Sequence, residues 1–374
     1  MTDLIVVSLE AWDGVWRRNQ HLVSRLLDRD PSLRVLFVEP PADPIHRLTH
    51  GAMPQLGYGP RQSSRCKHLW TMRPLKALPR RVDRSADKRL ATQVRRAAHR
   101  LEFEHPIVWV NDPGGAALSK STGWPTLYDI TDDWLAADRP PRELARLREV
   151  ERFLLEHASQ VVACSPELAR RKGADRPRGS APIEVIRNAV DTAAYERPRE
   201  RPRDLPPGRT AVYVGTLHTD RLDIDLCEET ARELKDEASV VLVGPNALGE
   251  ADTRRLRTAG VIVLGARRAD YVIGYLTHGD ALIVPHVITP FTESLDPLKL
   301  YEYLAAGRPI VSTAVAGFRD TDDPRIHIVD SSSGFAATVR SMLDSPSVNS
   351  PNRTVADWAE RVTAMCAVLD RMSY

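Results

Sequence analysis

The residues best suited to chemistry fall in one stretch, Asp296-Pro297-Leu298-Lys299-Leu300-Tyr301-Glu302-Tyr303-Leu304-Ala305-Ala306-Gly307-Arg308-Pro309, which runs into the apolar Ile310-Val311-Ser312-Thr313. The spelling predicts loop, helix, tight turn and buried strand. Asp296 suits an N-cap, and Pro297 suits the first helical position, where its missing N–H would be unpaired anyway. Gly307 supplies the left-handed residue that ends a helix, and Pro309 blocks continuation. Leu298, Tyr301, Leu304 and Ala305 make an apolar stripe, while Lys299, Glu302 and Tyr303 share another face at i, i+3, i+4. A cation then stands in the first turn, where free backbone N–H groups already favour an anion. A carboxylate stands one turn deeper, where it can accept from sugar hydroxyls. Diphosphate at the helix start and ribose at Glu302 would suit a nucleotide-sugar. The plainer alternative is a Lys299–Glu302 surface salt bridge worth about 0.3 kcal/mol.

A second group of candidates lies in the first half. Leu4 to Leu9 predicts a buried strand, followed by the loop Glu10 to His21 and a helix to about Leu27. Leu22, Val23, Leu26 and Leu27 keep helical spacing, and Arg34 to Glu39 is a strand stopped by Pro40-Pro41. This is a βαβ unit, and ligands of such sheets lie beyond the carboxyl ends of the strands. Gly14 would let backbone approach a diphosphate or sugar, and Trp12, Arg17, Asn19 and His21 are candidates to contact an acceptor. A satisfied helix histidine is the alternative for His21. The strand Ile107 to Val110 ends at Asn111-Asp112-Pro113-Gly114-Gly115, which adds Asn111 to the acceptor side. The strand Thr126 to Ile130 ends at Thr131-Asp132-Asp133-Trp134, placing two acids where catalytic groups often stand. Caps of the next helix are the alternative for Asp132 and Asp133.

Residues 297–309 resemble the segment P-L-K-x-x-E-Y-x-A-x-G-x-P of GT-B glycosyltransferases, especially the family-4-like and teichuronic-acid-type bacterial enzymes. Tyr128-Asp129-Ile130-Thr131-Asp132-Asp133-Trp134 resembles the matching loop of the teichuronic-acid type. Ser165-Pro166-Glu167-Leu168 and Val185-Ile186-Arg187-Asn188-Ala189-Val190-Asp191 match the S-x-x-L and V-I-x-N-x-V-D strings that close the first domain of that family. The resemblance implies an α/β GT-B fold, two Rossmann-like doubly wound parallel-sheet domains facing a cleft. It implies transfer of a hexosyl group from a UDP- or dTDP-sugar to an acceptor hydroxyl. It also places the Gly215–Thr216 loop against diphosphate and the backbone after Gly265, with Ala266 and Arg267, against the nucleobase; Gly244 ends a neighbouring strand in a similar turn. An inverting enzyme would use Asp132 or Asp133 as base on the acceptor hydroxyl, whereas a retaining one needs none.

Two departures from the family pattern matter. Family members often carry an Arg and a Lys after the glycine loop; here Thr216-Leu217-His218-Thr219-Asp220-Arg221 offers only Arg221, so Lys299 would carry more of the phosphate role. The first acid of the family's E-x7-E pair falls on Ser294. An inactive GT-B scaffold and a nucleotide-sugar epimerase are the rival readings. No metal and no cofactor beyond the donor are implied. Asp223-Ile224-Asp225 spells D-x-D but opens a predicted helix without strand context. Neither a P-loop nor a complete G-x-G-x-x-G string occurs.

The elements that must position these groups fit two domains, the prior for 374 residues. The expected division is 1–192, a Pro- and Arg-rich linker at 193–209, a nucleotide-sugar domain at 210–352, and a final helix within 353–374 crossing back to the first domain. Hydrophobic content of 42% and charged content of 27% are those of a globular protein, and a net charge of +2 gives no global argument for nucleic acid. The four cysteines lack metal-ligand spacing and fit a reducing compartment. With no leader or membrane-span pattern, a cytoplasmic protein is expected. Residues 43–68 read as a long surface excursion. Residues 61–100 hold thirteen Lys and Arg against Asp83 and Asp87, an asymmetry suited to an anionic acceptor or to peripheral contact with the inner face of a membrane.

Overall fold

The computed structural model describes residues 2–13, 16–49, 53–330, 332–344 and 355–372. The chain divides into two compact units, one of Met1–Leu135, Arg139–Arg187 and Ala359–Tyr374, the other of Ala136–Asp138 and Asn188–Trp358.

The first unit contains β1 (Asp3–Val7), α1 (Arg18–Arg29), β2 (Arg34–Val38), α2 (Pro44–Thr49), β3 (Tyr58–Gln62), β4 (Leu69–Arg73), α3 (Ala86–Arg100), β5 (Ile107–Val110), α4 (Ala116–Thr122), β6 (Thr126–Ile130), α5 (Pro141–His157), β7 (Gln160–Ala163), α6 (Pro166–Ala174) and β8 (Glu184–Val185). The sheet order is β3-β4-β2-β1-β5-β6-β7-β8, parallel except for the β3–β4 pair at the edge. The central strands are continuous apolar runs because helices cover both faces. In β5 and β6 every residue is buried.

The excursion expected over 43–68 holds more order than its sequence suggests. It includes α2 and β3, and β4 joins β2 in parallel register from Val35↔Leu69 to Val38↔Met72. β3 carries Gly59 and Pro60, which blur a strand pattern and are tolerated at a sheet edge.

The second unit contains α7 (Thr192–Glu196), β9 (Thr210–Val214), α8 (Ile224–Glu233), β10 (Ser239–Val243), α9 (Glu250–Thr258), β11 (Ile262–Gly265), α10 (Ala269–His278), β12 (Ala281–Val284), α11 (Leu298–Ala306), β13 (Ile310–Thr313), β14 (Ile326–Val329) and α12 (Ser332–Asp344). Its sheet order is β11-β10-β9-β12-β13-β14, parallel throughout. Side-chain alternation divides the core into two layers. Val212, Val214, Val241, Val243, Leu282 and Val284 pack on one face; Ala211, Tyr213, Val240, Leu242 and Ile283 pack on the other. The reversal of strand order between β9 and β12 is a topological switch point, where such sheets bind ligands.

The stretch expected as a linker is fastened to this unit. Asp204 accepts from the Tyr275 hydroxyl and from Arg267, both at 2.5 Å, His278 Nε2 lies 2.7 Å from the Arg199 carbonyl, and Leu205 is buried. The last helix, α13 (Trp358–Asp370), begins at the fully buried Trp358. From Ala359 on it groups with the first unit, where Arg29 donates to Thr363 Oγ1 at 2.8 Å.

Candidate functional site

In the second unit the switch point gathers Tyr213 near the end of β9 and Gly215 just after it, His286 after β12, Arg221 and the first turn of α11. Helix α11 starts at Leu298 behind Pro297, and no side chain caps it. Its leading N–H groups therefore remain available to an anion. Asp296 does not cap the helix, contrary to expectation. Its Oδ2 accepts from the Asn188 backbone N–H at 2.5 Å and its Oδ1 from the Tyr301 hydroxyl at 2.8 Å, tying residue 188 to the base of the helix.

Lys299 turns away from Glu302. Its Nζ donates to the Tyr213 hydroxyl at 2.8 Å, approaches His286 Nε2 at 3.0 Å and lies 4.3 Å from the Tyr213 ring centroid. Tyr213 and His286 also meet, at 3.2 Å. The plainer alternative, a Lys299–Glu302 surface salt bridge, is not formed. Burial, and secondarily the charge of Arg221, pushes the Lys299 ammonium down to about 7, against the opposing pull of Glu302. Burial with the Lys299 and Arg221 charges pushes His286 well below its usual range, so the imidazole is neutral and can accept from the lysine. Burial raises Glu302 above the usual carboxylate range.

Backbone geometry holds this arrangement open to a ligand. A Cβ at Gly215 would fall 2.9 Å from the Tyr213 hydroxyl and 3.0 Å from Lys299 Nζ, and a Cβ at Gly244 would fall 2.0 Å from the Gly215 carbonyl oxygen. Both positions thus require glycine for close approach. Arg221 is brought alongside by its loop: Leu222 bridges to His286, and the Val287 N–H donates to the Arg221 carbonyl at 2.8 Å. Its guanidinium lies 5.1 Å from the centroid of Phe291. Thr216 is exposed beside Gly215, Leu298 and Pro297 are partly exposed, and Gly265 and Ala266 form the exit of β11.

Several expectations for this half need correction. The Arg267 guanidinium is held by Asp204 and the Tyr275 hydroxyl, because the fastened strap supplies a carboxylate there. Tyr303 is not on the Lys299 face but fully buried, its hydroxyl accepting from the Val214 N–H at 2.8 Å. Ser294 is buried and donates to the Phe291 carbonyl at 2.8 Å, while the neighbouring Glu293 takes two contacts of 3.0 Å from Arg319. The D-x-D string is structural: Asp223 caps α8 by accepting from Leu226 N–H at 3.0 Å, and Asp225 pairs with Arg255. Tyr213 and His286 were not singled out from the sequence; the signal was a polar aromatic and a histidine at the ends of two apolar strands.

In the first unit the strand ends gather a different set. Asn19 and Asn111, expected at an acceptor, are buried and bound to each other, Asn19 Nδ2 donating to Asn111 Oδ1 at 2.8 Å and to Ser8 Oγ at 3.1 Å. Beside them Arg18 makes a buried two-pronged contact with Asp129, at 3.1 and 3.0 Å, and the Trp109 indole donates to the same acid at 3.2 Å. These groups lock α1 to β5 and β6, since buried polar atoms must find partners, and so position the loop between them.

Asp133 is also corrected. It is buried, with Lys172 Nζ donating to it at 2.7 Å and to Glu151 at 2.9 Å, and Arg171 at 3.4 Å. Its carboxylate is committed to these two cations. Replacing Lys172 by methionine leaves two buried acids without their cation and is expected to cost about 3–5 kcal/mol of stability, read as a lowered denaturation midpoint; an unchanged midpoint would show the triad to be energetically silent.

Asp132 is different. It is partly exposed and accepts from the Thr131 hydroxyl at 3.2 Å. Glu10, three residues past the end of β1, feels its charge. Burial, opposed by Arg17 but aided by the charges of Asp132, Asp13 and Asp129, raises the Glu10 carboxyl to about 7. Arg17 Nε stands 3.9 Å from Glu10, and its backbone N–H is capped by Gln20 at 3.1 Å. Trp12 packs edge-on against Phe37 at 4.9 Å and near Trp16 at 5.8 Å. His21 stands edge-on to Trp16 at 5.3 Å, with Arg25 3.1 Å from its Nδ1. Gly14 lies outside the described residues. Glu10 is the group that sequence reading passed over, because its character comes from burial and neighbours that no local pattern records.

Residues 208–345 match the family described as glycosyl transferases group 1. TuaH of Bacillus subtilis (strain 168), a protein assigned to teichuronic acid biosynthesis as a glycosyltransferase, is 25% identical over 236 residues, covering 60% of this chain and 59% of that protein. The chain thus spans about three fifths of the length of this curated relative. The E. coli structure described as trehalose-6-phosphate bound with UDP-2-fluoro glucose superposes with a TM-score of 0.69 at 12% identity over 100% of this chain and 99% of that one. Anabaena Alr3699/HepE in complex with UDP-glucose does so with a TM-score of 0.68 at 15% identity over 99% and 100%. The fold is GT-B. The second half of the chain thus carries a domain that matches the group 1 glycosyl transferases, and the chain shares the fold of these solved structures.

Proposed function

We propose that the protein transfers a sugar from a nucleoside diphosphate sugar, UDP- or dTDP-linked, to an acceptor hydroxyl. The observation that carries this reading is the pair of cations, Lys299 and Arg221, beside the uncapped start of α11 and the glycine-lined end of β9. Each depresses the titration of buried groups around it, so a diphosphate would relieve an existing electrostatic cost. Lys299, Arg221 and the N–H groups after Pro297 then stabilise the leaving diphosphate as charge develops on it. Because these cations meet the phosphate charge, the proposed transfer is metal-independent. Glu302 would accept from the ribose hydroxyls, and the backbone at Gly265–Ala266 would border the base.

The proposed acceptor is a small molecule or a lipid- or polysaccharide-linked sugar, in natural-product or cell-surface glycan biosynthesis at the cytoplasmic side of a membrane. Calorimetric titration with UDP and dTDP, followed by a panel of their sugars, tests the donor side; absence of binding by every nucleotide would overturn the reading. Glu302→Gln is expected to weaken nucleotide affinity about tenfold, the loss of one charge-assisted hydrogen bond; unchanged affinity would remove Glu302 from the ribose. The engagement of Glu293 and the serine at 294 favour a second reading, an inactive partner subunit, which slow release of free nucleotide from a bound donor would contradict.

A further inference from the structure

Large apolar side chains are scattered singly on most protein surfaces, but here they are concentrated. Of the exposed large hydrophobics among the described residues, Leu48, Met53, Leu56, Leu75, Leu78 and Val82 belong to about a tenth of the chain; elsewhere only Val185, Tyr271 and Ile288 are exposed. Met53 and Leu56 are 82% and 79% exposed. These groups come from two segments that meet at one corner of the first unit. Ala42 bridges to Leu75 in parallel, the Lys76 N–H donates to the Ala42 carbonyl at 2.9 Å, and Lys76 pairs with Asp43 ahead of α2. A Cβ at Gly57 would lie 2.9 Å from the Leu75 Cβ, and Arg47 Nε donates to the Met53 carbonyl at 2.6 Å.

The segments that meet there are also basic. Residues 43–60 and 73–84 contain six Lys and Arg (47, 73, 76, 80, 81, 84) against Asp43 and Asp83. Arg73, Lys76 and Arg80 pair with Glu39, Asp43 and Asp87, while Arg81 and Arg84 are exposed. Polyanion binding uses such charge but has no use for bare leucine, methionine and valine between the cations. An anionic bilayer uses both, the apolar groups entering the headgroup–acyl boundary and the cations meeting phosphates. Among the described residues no helix is long and apolar enough to cross a membrane, so the contact would be peripheral.

We propose that this corner docks the protein on an anionic membrane surface, with Leu78 and Val82 inserted and Arg81 and Arg84 on lipid phosphates. The proposal stands apart from the donor site, and it deepens the functional reading by placing acceptor encounter at a lipid surface.

The test is co-sedimentation of the full chain with vesicles of phosphatidylcholine alone or mixed with phosphatidylglycerol, with UDP titrated into every variant in parallel. Binding to the mixed vesicles but not to phosphatidylcholine is expected. Leu78→Ser with Val82→Ser, and separately Arg81→Ala with Arg84→Ala, should each weaken vesicle binding at least about fivefold, the worth of about 1 kcal/mol per cation at the surface, with nucleotide affinity unchanged. Failure of the parent chain to sediment with the mixed vesicles would overturn the proposal. So would a Leu78→Ser, Val82→Ser variant that binds as well as the parent, since the corner would then be a polyelectrolyte surface of the kind that takes nucleic acid or acidic polymers. Loss of nucleotide binding in the parent would instead strike the donor reading and leave the docking result standing.

Discussion

Lys299→Ala is expected to lower turnover of a nucleotide-sugar about 10²–10³-fold, the usual effect of removing one preorganised stabiliser of developing negative charge. The ammonium is held by Tyr213 and His286 in the place where α11 presents its free N–H groups, so alanine removes a fixed charge and not a flexible surface one. Stability should move the other way. The folded protein holds this lysine at about 7, below its ordinary value of 10.5. A cation depressed on folding imposes a cost that is full below about pH 7 and fades as pH rises through 10.5. At neutral pH the alanine variant should therefore melt no lower than the parent, whereas a residue of purely structural value would take the melting temperature down with the activity.

The same shift predicts proton uptake on nucleotide binding. At pH 8 the free site holds a mostly neutral lysine, and a bound diphosphate would draw a proton onto it. Nucleotide affinity should then fall as pH rises above 7, and binding heats should differ between phosphate and Tris buffers by up to one proton's ionisation enthalpy. In Lys299→Ala both dependences should vanish. Turnover within about threefold of the parent, an amount too small for a lost transition-state contact, would take Lys299 out of the chemistry.

Legibility in the sequence followed the physics of each feature. Runs such as Ile107–Val110 and Ala281–Val284 announce buried parallel strands because both faces are covered, and Gly307 ends α11 in the left-handed conformation its sequence foretold, at φ 71°. Lys299 was legible because a cation in a helix's first turn is a local fact. Its partners were not, since Tyr213 is 86 positions away and reaches it only through the packing of β9 against β12. The same limit explains the misplaced groups. Nothing near Asp133 in the sequence reveals Lys172 beneath it, and nothing near Asn19 reveals Asn111, 92 positions on. Arg267 looked free because its partner Asp204 sits in a stretch whose prolines suggested a loose linker.

Of the two acids after β6, Asp133 is held by Lys172 and Arg171 while Asp132 is partly exposed, and Asp132→Asn carries the second large expected effect. In an inverting transfer the acceptor hydroxyl must lose a proton as it attacks, and loss of the positioned base costs about 10²–10⁴-fold in turnover. Glu10 makes the assignment testable beyond the rate alone. Its carboxyl is raised to about 7 by burial first and by Asp132 and its other acidic neighbours after that. A raised carboxyl is ionised in the folded state only above about pH 7, so its cost to folding is absent below 4.5 and full above 7. Removing the Asp132 charge should bring Glu10 down, shifting any activity limb near pH 7 to lower pH and making the variant more stable than the parent at pH 8. Glu10→Gln should abolish that limb while retaining more turnover than Asp132→Asn if Asp132 is the base; the opposite order would hand the role to Glu10. Turnover near the parent's in both variants would point to retaining chemistry, which needs no such base.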